Sequence, residues 1–268
     1  MIITSNYHTH STFCDGKDTP EEMVLEAIKK GFTHLGFSGH SYLEFDSSYC
    51  MKPSAEPIYR KTVNELKEKY KNEIKIFCGI EQDYYAEKAE GYDYILGSVH
   101  YVFKNGKHLC IDHSANMLKS HIDNEYSGDF DALAEDYFEV VSDIINKTNC
   151  DIIGHFDLIS KYSEILGYGE SEKFLYAAEK AIKKLVPFGC PFEINTGAIP
   201  RKARTIPYPS PEILKIIKSY DGKITFSSDC HDKNYLDCYF NEIYKMAVDL
   251  GFKEYAIITE NGIEYVNL

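Results

Sequence analysis

The chain has 268 residues, 44% apolar and 26% charged, which fits a folded globular protein and excludes a disordered or collagen-like one. Forty-two acidic against 29 basic side chains leave a formal net charge of -13. That balance argues against a nucleic-acid polymer or an anionic membrane surface as main partner, because both recruit excess Lys and Arg. A small anionic substrate responds to local charge and stays open.

No run approaches the roughly 18 apolar residues of a membrane helix, and the N-terminal stretch lacks a basic region followed by a long apolar one. The eight cysteines are scattered without a CxxC pair, which points to reduced thiols in a cytoplasmic protein.

In chain order, Ile2 to Tyr7 is a first strand ending at His8. Thr19 and Glu22 make a capping box around Pro20, opening a helix with Met23, Val24, Ala27 and Ile28 on one face and Lys29-Lys30-Gly31 at its end. His34 to Ser38 is a second strand, followed by a helical pattern from about Ala55 to Tyr70. Ile74 to Ile80 and Tyr94 to Val99 are the third and fourth strands. Lys104 to Gly128 shows no clear period and reads as a long functional loop. A helix from about Phe130 to Lys147 leads into a strand at Asp151 to Gly154. The next helix, from about Ser171 to Val186, buries Phe174, Leu175, Ala178, Ala181, Ile182 and Leu185. Phe192 to Ile194 is a strand, Ser210-Pro211 opens a helix, and Lys223 to Ser227 is another strand. Leu236 to Leu250 reads as a helix ended by Gly251, and Tyr255 to Thr259 and Ile263 to Val266 as extended segments around an Asn261-Gly262 turn. About seven strand-helix units with no linker or repeat favour a single α/β barrel over residues 1–268. Periodicity alone does not separate it from a doubly wound open sheet.

The polar residues fall in one place on this map. His8, His10 and Asp15 follow the first strand, His40 the second, and Glu81 ends the third. His100 and His155 end the fourth and fifth, and Asp229 and His231 end the strand that begins at Lys223. In a parallel barrel those C-terminal ends share one rim, where active sites lie. Residues i and i+2 of an extended segment point the same way, so His8 and His10 face one ion together, as do Asp229 and His231. Six imidazoles and three carboxylates suit zinc, iron or manganese better than magnesium or calcium. Nine donors exceed the need of one tetrahedral ion, so two or three divalent ions are expected, with the two oxygens of Glu81 suited to bridging. His34 reads as structural, and His108, His113 and His121 touch substrate at most.

Other chemistries find no support. There is no GxSxG elbow, no phosphate-binding GxxxxGK[ST] loop, and Gly167, Gly169 and Gly189 make no dinucleotide fingerprint. Cys230 lies between two candidate donors, and alternation turns it into the core.

The ordered set His8-Thr9-His10, Asp15-Gly16, His40, Glu81, the Gly-Ser-Val-His run ending at His100, the Gly-His-Phe-Asp run containing His155, and Ser-Asp-Cys-His ending at His231 resembles the polymerase and histidinol phosphatase (PHP) family. Residues 154–162, Glu193-Ile194-Asn195-Thr196-Gly197 and Arg201-Lys202 are most similar to its histidinol-phosphatase members. The resemblance implies a distorted (β/α)7 TIM-like barrel with a trinuclear site. His8, His10, Glu81 and Asp229 would hold one ion, Glu81, His100 and His155 a second, and Asp15, His40 and His231 a third. Some members carry His where this chain has Asp15, a harder donor. The implied activity is hydrolysis of L-histidinol phosphate to L-histidinol and phosphate, in histidine biosynthesis. A hydroxide bridging the ions would attack phosphorus directly; which group protonates the leaving alcohol stays open, with Asp229 and His231 candidates by position alone.

Of the three arginines, Arg201 and Arg204 sit in a Pro-flanked loop suited to phosphate binding, with Lys161 a further candidate. Glu44, Asp112 and Tyr162 lie near the rim as partners for a cationic substrate end. The competing readings are a PHP-family hydrolase of nucleotides, phosphotyrosine or oligonucleotide ends, a metal-dependent amidohydrolase, and a non-catalytic metal-binding module.

Overall fold

The computed structural model describes residues 3–268, so Ile2, the expected start of the first strand, lies outside the described residues. Seven parallel strands form the central sheet: β1 (Ser5–Asn6), β2 (His34–Phe37), β3 (Lys75–Asp83), β4 (Tyr94–Ser98), β7 (Ile152–Ile153), β8 (Phe192–Asn195) and β9 (Ile224–Ser227), neighbouring in that order. The sheet curls until its ends meet. Thr9 bridges Cys230 in parallel register, and the His10 amide donates to the Cys230 carbonyl at 3.0 Å. Asn6 reinforces the seam, its side chain donating to Ser228 and to the Leu236 carbonyl. The result is a nearly closed, distorted TIM-like barrel, and the open-sheet alternative falls away.

Its helices alternate with the strands: α1 (Pro20–Lys30), α2 (Glu56–Lys69), α4 (Phe130–Val141), α5 (Ile144–Thr148), the single turn α6 (Ser163–Leu166), α7 (Glu172–Leu185), α8 (Pro211–Ser219) and α9 (Phe240–Asp249). Helix α1 starts where its capping box places it, with Thr19 accepting from the Glu22 amide and Gly31 ending it in the left-handed region. Tyr7, Phe77, Tyr94, Leu96, Ile152 and Ile258 fill the lower barrel interior. Tyr94 crosses that space and donates to the carbonyls of Tyr7 and Phe37. Gly79 is what admits its ring, since a Cβ there would lie 2.2 Å from Tyr94 Cζ. The hairpin of β10 (Glu254–Thr259) and β11 (Gly262–Asn267) packs on β9 and delivers Ile258 to this cluster.

Four expectations need correction. Residues 104–128 are not a structureless loop. β5 (Tyr101–Lys104) and β6 (Lys107–Cys110) pair around Asn105-Gly106, both at positive φ, and helix α3 (Ala115–Glu125) follows with Ser114 as its cap. The expected helix over Phe130 to Lys147 is two, broken at Ser142-Asp143, and the one expected from Leu236 starts at Phe240. Glu81 does not end its strand, because β3 keeps pairing with β4 as far as Asp83. Among the described residues, no helix is long and apolar enough to cross a membrane.

Candidate metal centre

All nine sequence-derived donors converge at the C-terminal end of the barrel. Thr9 turns outward, its hydroxyl donating to the Gly36 carbonyl, so His8 and His10 both face the axis with ring centroids 5.1 Å apart. Asp15 sits in a tight turn in which the amides of Cys14 and Gly16 both donate to the Ser11 carbonyl. Asp229 arrives by an unexpected path. Its φ is 48°, so residues 229–231 are not the extended i, i+2 pair of the sequence reading. Gly197 makes room for that bend, since a Cβ there would stand 2.9 Å from the Asp229 side chain. Cys230 is buried in the core, and burial pushes its thiol up to about 12.

Glu81, buried at the centre, is ringed by five imidazoles. Its Oε2 lies 3.2 Å from His8 Nε2, 3.5 Å from His10 Nε2 and 2.8 Å from His40 Nδ1. Its Oε1 lies 2.9 Å from His155 Nε2 and 3.3 Å from His100 Nε2. Burial opposes ionisation, yet His40, His8 and His100 hold this carboxyl well below the usual carboxylate range. At the outer edge, Asp15 Oδ2 is 3.1 Å from His231 Nε2, and Asp15 Oδ1 is 3.6 Å from His40 Nε2. Burial, with His231 and His40 alongside, drives His10 well below its ordinary value, so its ring stays neutral. Burial opposes protonation of His8, but the carboxylates of Glu193, Glu81 and Asp229 raise it.

These residues fit divalent metal ions. His8 Nε2, His10 Nε2 and Glu81 Oε2 are buried without hydrogen-bond partners, an arrangement that costs free energy unless a cation completes it. Donor atoms lie within 4.8 Å of one another in four overlapping groups, His10-Asp15-His40-His231, His8-His10-Asp229, His8-Glu81-His155 and His40-Glu81-His100. Imidazole with carboxylate is a transition-metal donor set.

Residues outside the sequence-derived set complete the shell. Glu193 accepts from His8 Nδ1 at 2.7 Å, and Asp83 accepts from His100 Nδ1 at 2.9 Å. Asn195 links Glu193 to Asp229, at 3.0 and 3.4 Å. One signal was present in the sequence: Glu193 and Asn195 are polar at i, i+2 in an otherwise apolar strand, hence on one inward face.

Beside the donors opens a cavity of about 320 Å³, walled by Asp46, Tyr49, Asp112, Lys161, Arg201 and Tyr208 among others. Arg201 Nη2 donates to the Asp229 carbonyl at 2.9 Å and lies 2.6 Å from His231 Nδ1. Lys161 Nζ donates to Asp112 at 3.1 Å. Arg204 is elsewhere. Its guanidinium is buried, donating to Asp157 Oδ2 at 3.0 Å and Ser160 Oγ at 2.7 Å, and it does not line this cavity. Tyr162 spends its hydroxyl on the carbonyls of Asp112 and His113, while Glu44 is exposed and outside the cavity wall.

A parallel α/β barrel with imidazoles and carboxylates clustered at its C-terminal rim defines a metal-binding barrel protein. The chain belongs to the PHP domain family, which matches residues 6–197. It is 28% identical to the "Probable histidinol-phosphatase" of Schizosaccharomyces pombe, covering 86% of this chain and 81% of that protein. It is 25% identical to the histidinol-phosphatase of Bacillus subtilis, covering 84% and 92%. In fold it is similar to the histidinol phosphate phosphatase of Lactococcus lactis, solved with zinc, L-histidinol and phosphate. That match has a TM-score of 0.73 at 20% identity and covers 97% of this chain and 98% of the other.

Proposed function

We propose that this chain is a metal-dependent phosphomonoester hydrolase that converts L-histidinol phosphate and water to L-histidinol and inorganic phosphate, a step of histidine biosynthesis. The observation that carries the reading is the cavity that Arg201 and Lys161 share with Glu81, whose Oε2 is buried and unpartnered, and with the candidate donors His40, His100, His155, Asp229 and His231. The histidinol-phosphatases among its relatives support the substrate. Two to three ions of zinc, iron or manganese would be held by His8, His10, Glu81 and Asp229, by Glu81, His100 and His155, and by Asp15, His40 and His231. Such ions make water a nucleophile at neutral pH and draw charge from the phosphoryl group.

The protein's own groups do the rest. Arg201 projects a planar fork of donors suited to phosphate oxygens, and Lys161 adds a point charge. Asp46 and Asp112 supply acidic wall positions for the substrate's cationic end. Asp229 and His231 stand beside Arg201, and one of them would take up the proton that the attacking water releases and pass it to the leaving alkoxide. Arg204 holds Asp157 in place rather than binding phosphate. The described residues 3–268 would act as one barrel unit, and eight free thiols fit a cytoplasmic setting.

Phosphate release from L-histidinol phosphate, measured beside 4-nitrophenyl phosphate and a nucleoside monophosphate with metal content determined on the same sample, tests this. Selective hydrolysis of L-histidinol phosphate, lost in His8→Ala, is expected. Turnover of the aryl phosphate or nucleotide at an equal or higher rate would move the protein to another phosphoesterase class. Activity unchanged in His8→Ala would remove the metal centre from the mechanism.

A further inference from the structure

We infer that Glu193 is a positioning residue that fixes which nitrogen of His8 carries the proton, keeping Nε2 free to bind a metal ion; this rests on the metal reading proposed above. Both carboxylate oxygens of Glu193 are committed. Oε1 accepts from His8 Nδ1 at 2.7 Å, while Oε2 accepts from the His155 amide at 2.8 Å and from Asn195 Nδ2 at 3.0 Å. The side chain is fully buried, so water replaces none of these bonds. A carboxylate only accepts, and therefore His8 Nδ1 donates and retains its proton. Nε2 is then the nitrogen left for a metal ion, and it faces Glu81 Oε2 and Asp229 Oδ1, 3.2 and 3.7 Å away.

The arrangement spans three strand ends. Glu193 on β8 holds the ring of His8 beyond β1 and the backbone of His155 beyond β7, and through Asn195 it reaches Asp229 beyond β9. One carboxylate thus sets the relative placement of three candidate ligands. Among the six donor histidines, only His8 and His100 have a carboxylate within hydrogen-bond distance of Nδ1 while Nε2 faces Glu81. His155 Nδ1 has no partner, and His10 Nδ1 has only the Cys14 thiol at 3.5 Å.

The double commitment makes a single isosteric change decisive. In Glu193→Gln, the amide oxygen has to face the His155 amide and Asn195, because an NH2 group there would oppose two donors. The NH2 group then faces His8 Nδ1, which has to accept, and the imidazole proton moves to Nε2. That tautomer blocks the nitrogen aimed at the ion.

Wild type, Glu193→Gln and His8→Ala, each stripped of metal and confirmed folded by thermal unfolding, are titrated with zinc against a chromophoric chelator. Glu193→Gln is expected to lose affinity for one zinc equivalent by about 10–100-fold, the range for outer partners of metal ligands, while His8→Ala loses that equivalent outright. Nitrogen-15 histidine spectra of zinc-loaded wild type provide a measurement independent of any variant's folding, with His8 expected to keep its proton on Nδ1. Full zinc affinity in a folded Glu193→Gln, or a His8 proton on Nε2, overturns the inference. If His8→Ala loses no zinc, the metal reading itself fails.

Discussion

The rim centre and the polar nest around Asp157 lie close together, and both bury charge, yet they are built on opposite terms. In the nest, Asp157 Oδ2 accepts from Arg204, Ser160 and the Ser210 amide, and Arg204 also lies 3.9 Å from Glu170. Its cation is already supplied by the chain. At the rim, Glu81 gathers five imidazoles, and buried donor atoms are left without partners. There the chain supplies lone pairs and leaves the cation to come from outside. Asp157 Oδ1 also lacks a hydrogen-bond partner, so the difference lies in charge: a buried carboxylate whose cation the chain itself supplies is structure, whereas a cluster of lone pairs short of a cation is a site.

The comparison breaks first at Glu81, where the largest effect is expected. Glu81→Gln preserves shape but removes the charge shared among the imidazoles. Turnover should fall at least about 10⁴-fold, roughly 5.4 kcal/mol in the barrier. Bound metal should drop in the same sample, while the metal-free protein unfolds close to the wild-type temperature. Turnover within tenfold of wild type would place the chemistry elsewhere.

Next come the two arginines, three residues apart in one loop. Arg204→Met leaves Asp157 buried and uncompensated, which costs about 3–5 kcal/mol. At about 2–4 °C per kcal/mol for a chain of this size, the melting temperature should fall by roughly 6–20 °C, with kcat/KM of the remaining folded protein little changed. Arg201→Ala should do the reverse. Loss of charge-assisted bonds to phosphate costs about 1.5–3 kcal/mol, or roughly 10–150-fold in kcat/KM, with little change in melting temperature. Swapped outcomes, read by thermal unfolding and steady-state kinetics, would exchange the roles assigned to the two side chains.

What could be read in the sequence follows from what is local. The barrel and its rim donors follow from short-range periods, because strand ends, capping boxes and the His8-Thr9-His10 alternation are set within a few residues. Arg204 reads as a phosphate-binding candidate from sequence because its partner Asp157 lies 47 positions away and loop charges carry no period. Glu193 and Asp83 escaped the candidate set for a related reason. They sit behind the ligands, and their role appears only once His8 and His100 are folded against them. The stretch over 104–128 did carry local signals, an Asn105-Gly106 turn between strand-like segments and a Ser114 cap. With Leu118 and Ile122 the two buried side chains of helix α3, its apolar face was too thin to show a helical period.

The smallest effect is expected at Cys230, and it sharpens the same contrast. Its backbone closes the barrel seam with Thr9 while its side chain turns into the core, between two candidate metal donors that face the opposite way. Burial, with the Asp229 charge beside it, pushes the thiol up to about 12 and keeps it protonated at neutral pH. A thiolate nucleophile at this position would make activity climb steadily as pH rises toward that value, and Cys230→Ala would abolish it. With the metal centre carrying the reaction, Cys230→Ala should keep kcat within about twofold and lose on the order of 1 kcal/mol of stability, the scale of a modest core truncation. A pH-rate profile of wild type and variant decides between the two. Coincident profiles that do not climb toward pH 12 leave the seam cysteine as packing, and loss of activity in the variant would bring it into the site.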